Sequence, residues 1–311
     1  MSRLIFVPQF PSKMRYQETW YEEFPKQMKK YFDEVIVLGE TYISATKDTK
    51  SKKDMFSPIH QAIVLESEQI NDFYNMKLYD DDILWVSDLS FPGFFCNALH
   101  HKRTKNMFCF VHGTSKNHLD YFEPVRESKW LVETGHSKLF NKIFVATEYH
   151  KKKLGWNNTR VVGISIPPYQ SYSEKKEYEI ISVVRSNSQK ITKSIEDRVE
   201  KDHSKIVRKD VNSWEEYYKF LSSAKILLIT TKEETFGYSS LEAIMNGTIV
   251  LAPNKFSYPE LLPREFLYNN YDELSLKIWS SLNGDLRAPE KLICHDMCEN
   301  FYENIAKEMK N

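Results

Sequence analysis

The sequence predicts an α/β protein built on two parallel sheets. Three observations point there. Short apolar runs alternate with helical stretches, a polar stretch with paired prolines divides that series in two, and 311 residues suit two domains of ordinary size.

The first series opens on the apolar run Leu4 to Val7. A helical stretch follows in which Trp20, Phe24, Met28 and Tyr31 recur every three or four residues and so share one face. Pro25 is expected to kink or restart that helix, because it removes one backbone donor. Val35 to Leu38 is the second strand, followed by the lysine-rich segment Lys47 to Asp54, which lacks periodicity and reads as a solvated loop. Ile83 to Val86, Met107 to Val111, Ile143 to Ala146 and Val161 to Ile166 complete the strands of this half. Strands separated by helical stretches require crossover connections, hence a parallel, Rossmann-like sheet.

Gly163 to Lys176, with prolines at 167 and 168 and a polar tail, breaks the pattern and reads as a linker. A second series follows, with strands at Glu179 to Val184, Lys205 to Val207, Ile226 to Thr230 and Ile249 to Ala252. Helical stretches lie between them at about 192–201, 213–223 and 238–246. The chain ends in an expected helix over 289–310, with Leu292, Met297, Phe301 and Ile305 on one broad face. The expected organisation is a first Rossmann-like domain over 1–166, a linker over 167–178, a second such domain over 179–288 and a terminal helix over 289–311.

Composition narrows the function classes. Hydrophobic content of 41% with 14% aromatic residues supports real cores and argues against disorder. Basic and acidic residues balance at 43 each, so no net field draws a polyanion to the whole surface, although local patches remain open. Met1 to Pro8 reads as a strand, not a signal peptide, and no stretch approaches the roughly 20 apolar residues that span a bilayer. A soluble, cytoplasmic protein without stable membrane insertion is expected. Cys109 lies in an apolar run and reads as core, beside Cys96, Cys294 and Cys298. Cys294, His295 and Cys298 lack further ligands at zinc spacing and read as helical residues four apart, so no metal is expected.

The densest information lies in residues 233–247. Lys225 to Thr231 reads as a buried strand and Thr248 to Ala252 as the next one, so the intervening segment is a loop and a helix. Glu234 then sits at the carboxyl end of a strand, and Glu242 one or two turns into the following helix. Open α/β sheets bind ligands at that edge, where helix N-termini offer unpaired N–H groups to phosphate. Paired carboxylates there suit the hydroxyl groups of a sugar.

The run from Glu234 to Gly247 resembles the E-x-F-G-x-x-x-x-E-A-x-x-x-G signature of retaining, nucleotide-sugar-dependent glycosyltransferases of family four, and matches each fixed position. The proline that usually follows is Thr248 here, a change that bears on the turn and not on the chemistry. The resemblance implies the GT-B fold, with two Rossmann-like domains facing across a cleft, and a last helix that crosses back to the first domain. It also implies a nucleotide diphosphate sugar as co-substrate, with no other cofactor. The first domain would serve the acceptor and the second the donor.

Three further sites can be argued. Arg185 and Lys190 follow the strand that opens the second domain, where a bidentate guanidinium and a mobile ammonium could hold a diphosphate. Family members carry an Arg and a Lys about five apart at this place. His112 ends an apolar strand and is followed by Gly113, Thr114 and Ser115, so it is expected to project into the cleft and meet a sugar hydroxyl or the reacting oxygen. Asp120 is a weaker acceptor contact. The loop after the first strand departs from the family, whose members carry a Gly-rich turn there; this chain has no glycine before Gly39. Lys13, Arg15 or Gln17 would then act through side chains, on the donor phosphate or on the acceptor.

Taken together, Arg185 and Lys190 would hold the diphosphate, Glu242 the nucleotide ribose and Glu234 the sugar hydroxyls. The amides of Phe236, Gly237, Tyr238 and Ser239 would lie near the phosphate. The basic runs His100 to Lys105, His150 to Lys153 and Arg198 to Lys209, the first beside the aromatic stretch Phe91 to Phe95, could hold a nucleic acid backbone. The segment Gln9 to Gln17 also resembles glycosyltransferases of large bacterial viruses that decorate hydroxymethylated bases in DNA. Double-stranded DNA is therefore a slight favourite as acceptor, in a host cytoplasm if the protein is viral, with a glycan, a lipid or a small metabolite as alternatives. A nucleotide-sugar epimerase and a sugar-nucleotide-binding module without turnover are the rival classes.

Overall fold

Strands that are apolar on both faces need a sheet covered on both faces, and two such sheets are present. The computed structural model describes residues 2–46, 58–119, 122–166, 171–183 and 190–310. Arg185, Asp120, the loop reading at Lys47 to Asp54 and residues 167–170 of the expected linker lie outside them.

The first unit comprises Met1–Ala146, Lys151–Pro167 and Cys298–Asn311. Its elements begin β1 (Arg3–Val7), α1 (Tyr16–Met28), β2 (Glu34–Val37), α2 (Glu40–Thr46), α3 (Pro58–Asn75) and β3 (Ile83–Val86). They continue α4 (Phe95–Ala98), β4 (Asn106–Phe110), α5 (Arg126–Ser137), β5 (Lys142–Val145), α6 (Glu148–Leu154), of which residues up to His150 group with the second unit, and β6 (Thr159–Val161). All strands pair in parallel, in the order β2-β1-β3-β4-β5-β6.

The core of this unit is aromatic. Phe24 of α1 stacks on Phe6 at 4.8 Å and on Trp85 at 4.8 Å, and Trp85 stacks in turn on Phe144 at 5.5 Å. Trp20, Phe24 and Met28 are buried, as their spacing requires. The helix runs through Pro25 and ends at Met28, so Tyr31 lies beyond it and Phe32 takes the buried place. The last strand, expected at Val161 to Ile166, is only Thr159–Val161.

The second unit comprises Thr147–His150 and Pro168–Met297. It contains β7 (Tyr178–Ile181), α7 (Lys193–Asp202), β8 (Ile206–Val207), α8 (Trp214–Ser222), β9 (Ala224–Leu228) and α9 (Tyr238–Met245). Then come β10 (Ile249–Pro253), α10 (Tyr258–Leu261), β11 (Leu267–Tyr268), α11 (Tyr271–Asn283) and α12 (His295–Glu299). Its strands also pair in parallel, in the order β11-β10-β9-β7-β8. The two-residue β11 is too short to leave a periodic signal in sequence.

The terminal stretch expected as one helix is two, α12 and α13 (Phe301–Lys310). The amide of Asn304 already bonds to the carbonyl of Asn300, so Asn300, a residue type suited to an N-cap, starts a new helix. Cys294 lies in the turn before α12, and only Cys298 is helical. Within the first unit, α13 brings Phe301 to 5.4 Å from Trp20 and 5.9 Å from Phe110, and Lys142 of β5 pairs with Glu308 at 2.9 Å.

Candidate active site

In the second sheet the winding direction reverses between β7 and β9: β8 lies to one side, β10 and β11 to the other. Loops that leave the carboxyl ends of two such strands diverge and open a crevice, where open sheets bind ligands. Arg185 and Lys190 follow β7, and Glu234 to Ser239 follow β9.

Backbone pairing draws the two loops together. Ile191 bridges Thr231 in antiparallel fashion, the amide of Thr192 donates to the carbonyl of Thr230 at 2.9 Å, and that of Lys232 to the carbonyl of Lys190 at 2.7 Å. Lys190, partly exposed, is thereby held two residues away from Glu234 in register. Beneath this pairing lies a charge that is almost wholly buried. Glu196 of α7 is 1% exposed, and its Oε1 accepts from Arg208 at 2.7 Å and from the Thr230 hydroxyl at 2.9 Å.

Glu234 is partly exposed, and its Oε1 accepts from the amides of Thr235 at 2.9 Å and Phe236 at 3.4 Å. The carboxylate thus orders the loop that carries it. Phe236 is buried, with its carbonyl accepting from the Ser257 hydroxyl at 3.0 Å. Gly237 caps α9 in the left-handed region at φ +92°. A Cβ there would meet Tyr258 Cε1 at 3.2 Å and Glu234 Cγ at 3.3 Å. Gly237→Ala is therefore expected to cost about 1–3 kcal/mol, read as a lower midpoint in denaturant. An unchanged midpoint would show that this turn carries no conformational demand.

Glu242, five residues into α9, is 7% exposed and accepts from the Tyr217 hydroxyl of α8 at 2.9 Å. Burial pushes its carboxyl up to about 7, while the Tyr217 hydrogen bond pulls it back down. Between the ordinary value of 4.5 and about 7, the folded chain holds a proton that the unfolded chain has released, so stability falls as pH rises through that window. Glu242→Gln removes this titration. The thermal midpoint of the variant relative to the parent is expected to rise from about pH 5 to about pH 8. A constant difference would show that Glu242 titrates alike in both states.

Sequence reasoning missed several residues of this site. Glu233, 8% exposed, accepts from the Tyr149 hydroxyl at 3.0 Å, and the Thr147 hydroxyl donates to the carbonyl of Thr235 at 2.9 Å. Tyr258, 1% exposed, bonds the Thr231 hydroxyl at 3.1 Å. The adjacent carboxylate of Glu233 was a visible signal; Tyr149, Tyr217 and Tyr258 come from distant elements and had none.

In the first unit the reversal falls between β1 and β3. His112, just past β4, is packed among rings: Tyr16 at 4.2 Å, Trp20 at 4.6 Å and Phe110 at 4.7 Å. Its amide donates to Asp88 at 3.4 Å. Asp88 belongs to a buried acidic group with Glu66 and Glu133. Burial raises Asp88 to about 8 and Glu66 to about 7. Glu66 accepts from the amides of Gly93, Phe94 and Phe95, and Glu133 from the hydroxyl and amide of Ser115 and the hydroxyl of Ser90.

Lys13 and Arg15 are exposed and Gln17 is partly buried. Met14 lies in the left-handed region at φ +56°. The side-chain Oε1 of Gln17 and Nε2 of Gln9 are buried without a hydrogen-bond partner among the described residues. Among the same residues, no group of three or more His, Cys, Asp or Glu could hold a metal ion, and no helix is long and apolar enough to cross a membrane.

Two parallel, doubly wound sheets, with a carboxylate pair at the switch point of the second, have the fold of the GT-B glycosyltransferases, and solved structures of that class match. A sucrose-phosphate synthase from Thermosynechococcus elongatus aligns over 100% of this chain and 98% of its own, with a TM-score of 0.67 and 11% identity. Anabaena HepE, solved with UDP and glucose, aligns over 99% and 95%, with a TM-score of 0.64 and 12% identity. A trehalose-6-phosphate synthase, studied for glycosyl transfer with retention, aligns over 99% of each chain, with a TM-score of 0.60 and 11% identity. At such identities the likeness concerns the fold. In sequence, a tRNA-queuosine alpha-mannosyltransferase of Drosophila melanogaster is 36% identical over 125 residues, which make up 40% of this chain. The match spans about a third (32%) of that relative's length. No protein-family profile matches the chain.

Proposed function

We propose that this protein is a retaining glycosyltransferase that moves a sugar from a nucleotide diphosphate sugar to a hydroxyl on a modified base of a nucleic acid. The observation that carries the reading is the placement of Glu234 and Glu242 at the switch point of the second sheet, with Lys190 bonded through its backbone to the same loop. The fold is shared with HepE, whose structure holds UDP and glucose, and the sequence relative is named for adding mannose to queuosine in tRNA.

Arg185 and Lys190 neutralise the diphosphate as it departs, because charge that develops in a water-poor site is best met by pre-placed cations. Glu242, with Tyr217 on Oε2, keeps Oε1 for a ribose hydroxyl. Glu234 takes hydroxyls of the transferred sugar, and the amides of Tyr238 and Ser239 at the start of α9 face phosphate. The acceptor hydroxyl forms its bond to the anomeric carbon on the face from which the diphosphate leaves. The anomeric C–O bond breaks and the hydroxyl proton passes to the leaving phosphate oxygen. The retaining course is supported by the motif and by the retaining enzyme that shares the fold. The reaction as written draws on no metal ion.

The test is a donor screen. Purified protein meets a panel of nucleotide sugars alone, with DNA bearing hydroxymethylated cytosine, and with queuosine-bearing tRNA, and released nucleotide diphosphate is measured. Release stimulated by one of the nucleic acids, and lost in Glu234→Ala, is the expected outcome and names the acceptor. Release indifferent to both would move the acceptor to a glycan, lipid or small metabolite. Donor binding without release would leave a sugar-nucleotide-binding module, and neither binding nor release would end the transferase reading.

A further inference from the structure

The basic runs of this chain sort into cations with structural duties and cations without. Arg208 is paired with Glu196, Arg198 lies 3.6 Å over the Tyr271 ring, and Lys209 stands 5.9 Å from the Tyr178 and Phe220 rings. Lys102 is consumed as well: its ammonium donates to the carbonyls of Phe73, Tyr74 and Met76 and so closes the end of α3. Its neighbours Arg103 and Lys105 turn elsewhere. With Lys138 they line a cleft of about 550 Å³ at the amino ends of β3, β4 and β5, walled by residues 78–80, 103–105, 107 and 138–141.

The charge in that cleft is in excess. Among the described residues that line it, the carboxylate is Asp80, which pairs with Lys105 at 2.8 Å, with both side chains open to solvent, at 90% and 71% exposed. Such a pair is weakly held and exchanges readily for another anion. Arg103 and Lys138 are exposed and form no ion pair among the described residues, and Lys77, also exposed, stands beside the cleft over the Tyr79 ring at 5.2 Å. A chain of zero net charge has gathered cations at one place, which raises the local potential for an anion.

Position says what kind of anion. The cleft lies at the amino ends of the strands, whereas His112, assigned from the sequence to the acceptor side, lies past the carboxyl end of β4. Seven residues of extended chain, at ~3.3 Å each, separate Lys105 from His112 by about 23 Å. One sugar nucleotide does not reach across that distance. A nucleic acid does, since phosphates recur every ~3.4 Å along a strand and about seven steps cover the span.

We propose that this cleft grips backbone phosphates of the nucleic acid acceptor at a distance from the base that receives the sugar. The proposal rests on the acceptor class argued above. Arg103 supplies a planar fork for one phosphate, and Lys138 and Lys105 supply point charges for others. The contacts carry no base information, so they position the acceptor without selecting its sequence.

The experiment compares the full chain with the double variant Arg103→Glu/Lys138→Glu, and with Arg103→Gln/Lys138→Gln in case charge reversal disturbs folding. Fluorescence anisotropy follows binding of a duplex with hydroxymethylated cytosine and of queuosine-bearing tRNA between about 50 and 200 mM salt. The reversal variant is expected to bind the preferred nucleic acid at least about tenfold more weakly and to lower the salt slope by about two, the neutral variant by less. UDP and GDP affinity, read by calorimetry, and the thermal midpoint are expected to hold. Unchanged nucleic acid affinity and slope in both variants would overturn the cleft while leaving the acceptor reading intact. A parent protein that binds neither nucleic acid would overturn both. Binding of phosphatidylserine vesicles, lost in the variants while nucleic acid binding stays, would assign the cleft to a lipid surface and overturn the proposal.

Discussion

Glu234→Ala is expected to lower kcat/KM for sugar transfer by about 30- to 1000-fold. The range follows from about 2–4 kcal/mol for a lost charge-assisted contact to the substrate in the transition state. Two effects add. The variant loses the carboxylate to which we assign the sugar hydroxyls, and it loses the acceptor that holds the amides of Thr235 and Phe236. Glu234→Gln separates them, because the amide oxygen can still accept from the loop while the charge is gone. If the charge serves the reaction, Gln falls nearly as far as Ala; if the loop order matters more, Gln stays close to the parent. Steady-state rates with the donor and acceptor found in the screen, beside a melting curve for each variant, decide between them. An activity within about twofold of the parent in both variants would remove Glu234 from the site.

Arg208→Ala is expected to destabilise the second unit by about 3 kcal/mol, measured by denaturant unfolding. Removing one partner of a buried ion pair strands the other charge, and the stranded carboxylate, Glu196, is 1% exposed. Among the described residues, the Thr230 hydroxyl at 2.9 Å remains as its polar support. The double variant Arg208→Met/Glu196→Leu is expected to recover most of that loss, since replacing both charges with apolar groups removes the desolvation penalty along with the attraction. Because Thr230 also pairs with Thr192 beside Lys190, the single variant is expected to loosen the loop pair at the switch point and raise the donor KM. A loss below about 0.5 kcal/mol would mean that Glu196 finds solvent once Arg208 is gone.

The strands were legible because each is a short apolar run with helical periodicity on either side, a signal that needs no knowledge of partners. Ile83 to Val86 came out to the residue, while β6 and β11 did not, being too short to stand out from the turns around them. The Glu234 to Gly247 segment was legible for a similar reason: its carboxylates, its left-handed glycine and its helix are neighbours in sequence. His112 was partly legible. Its place after a strand could be read, but the three rings packed around it come from α1 and β4 and meet only in the folded chain. The break between α12 and α13 was missed because apolar spacing carries on through Asn300, whose carbonyl takes the first bond of the new helix.

The basic runs show where sequence reading stops. Lys102 and Arg103 are adjacent and alike on paper. One closes a helix and the other faces an open cleft, and only the arrangement of three strand ends decides which is which.

By itself the sequence determined the α/β class, the two series of parallel strands and the strand–loop–helix segment that carries Glu234 and Glu242, because hydrophobic periodicity and turn chemistry act over a few residues. The tertiary structure alone decided that Lys190 lies against the Glu234 loop, that Tyr217 bonds Glu242 and that Arg208 neutralises Glu196. Each of these pairs joins groups far apart along the chain. Their energies depend on desolvation and hydrogen-bond geometry, which exist only once the sheets have formed and water has been expelled around them.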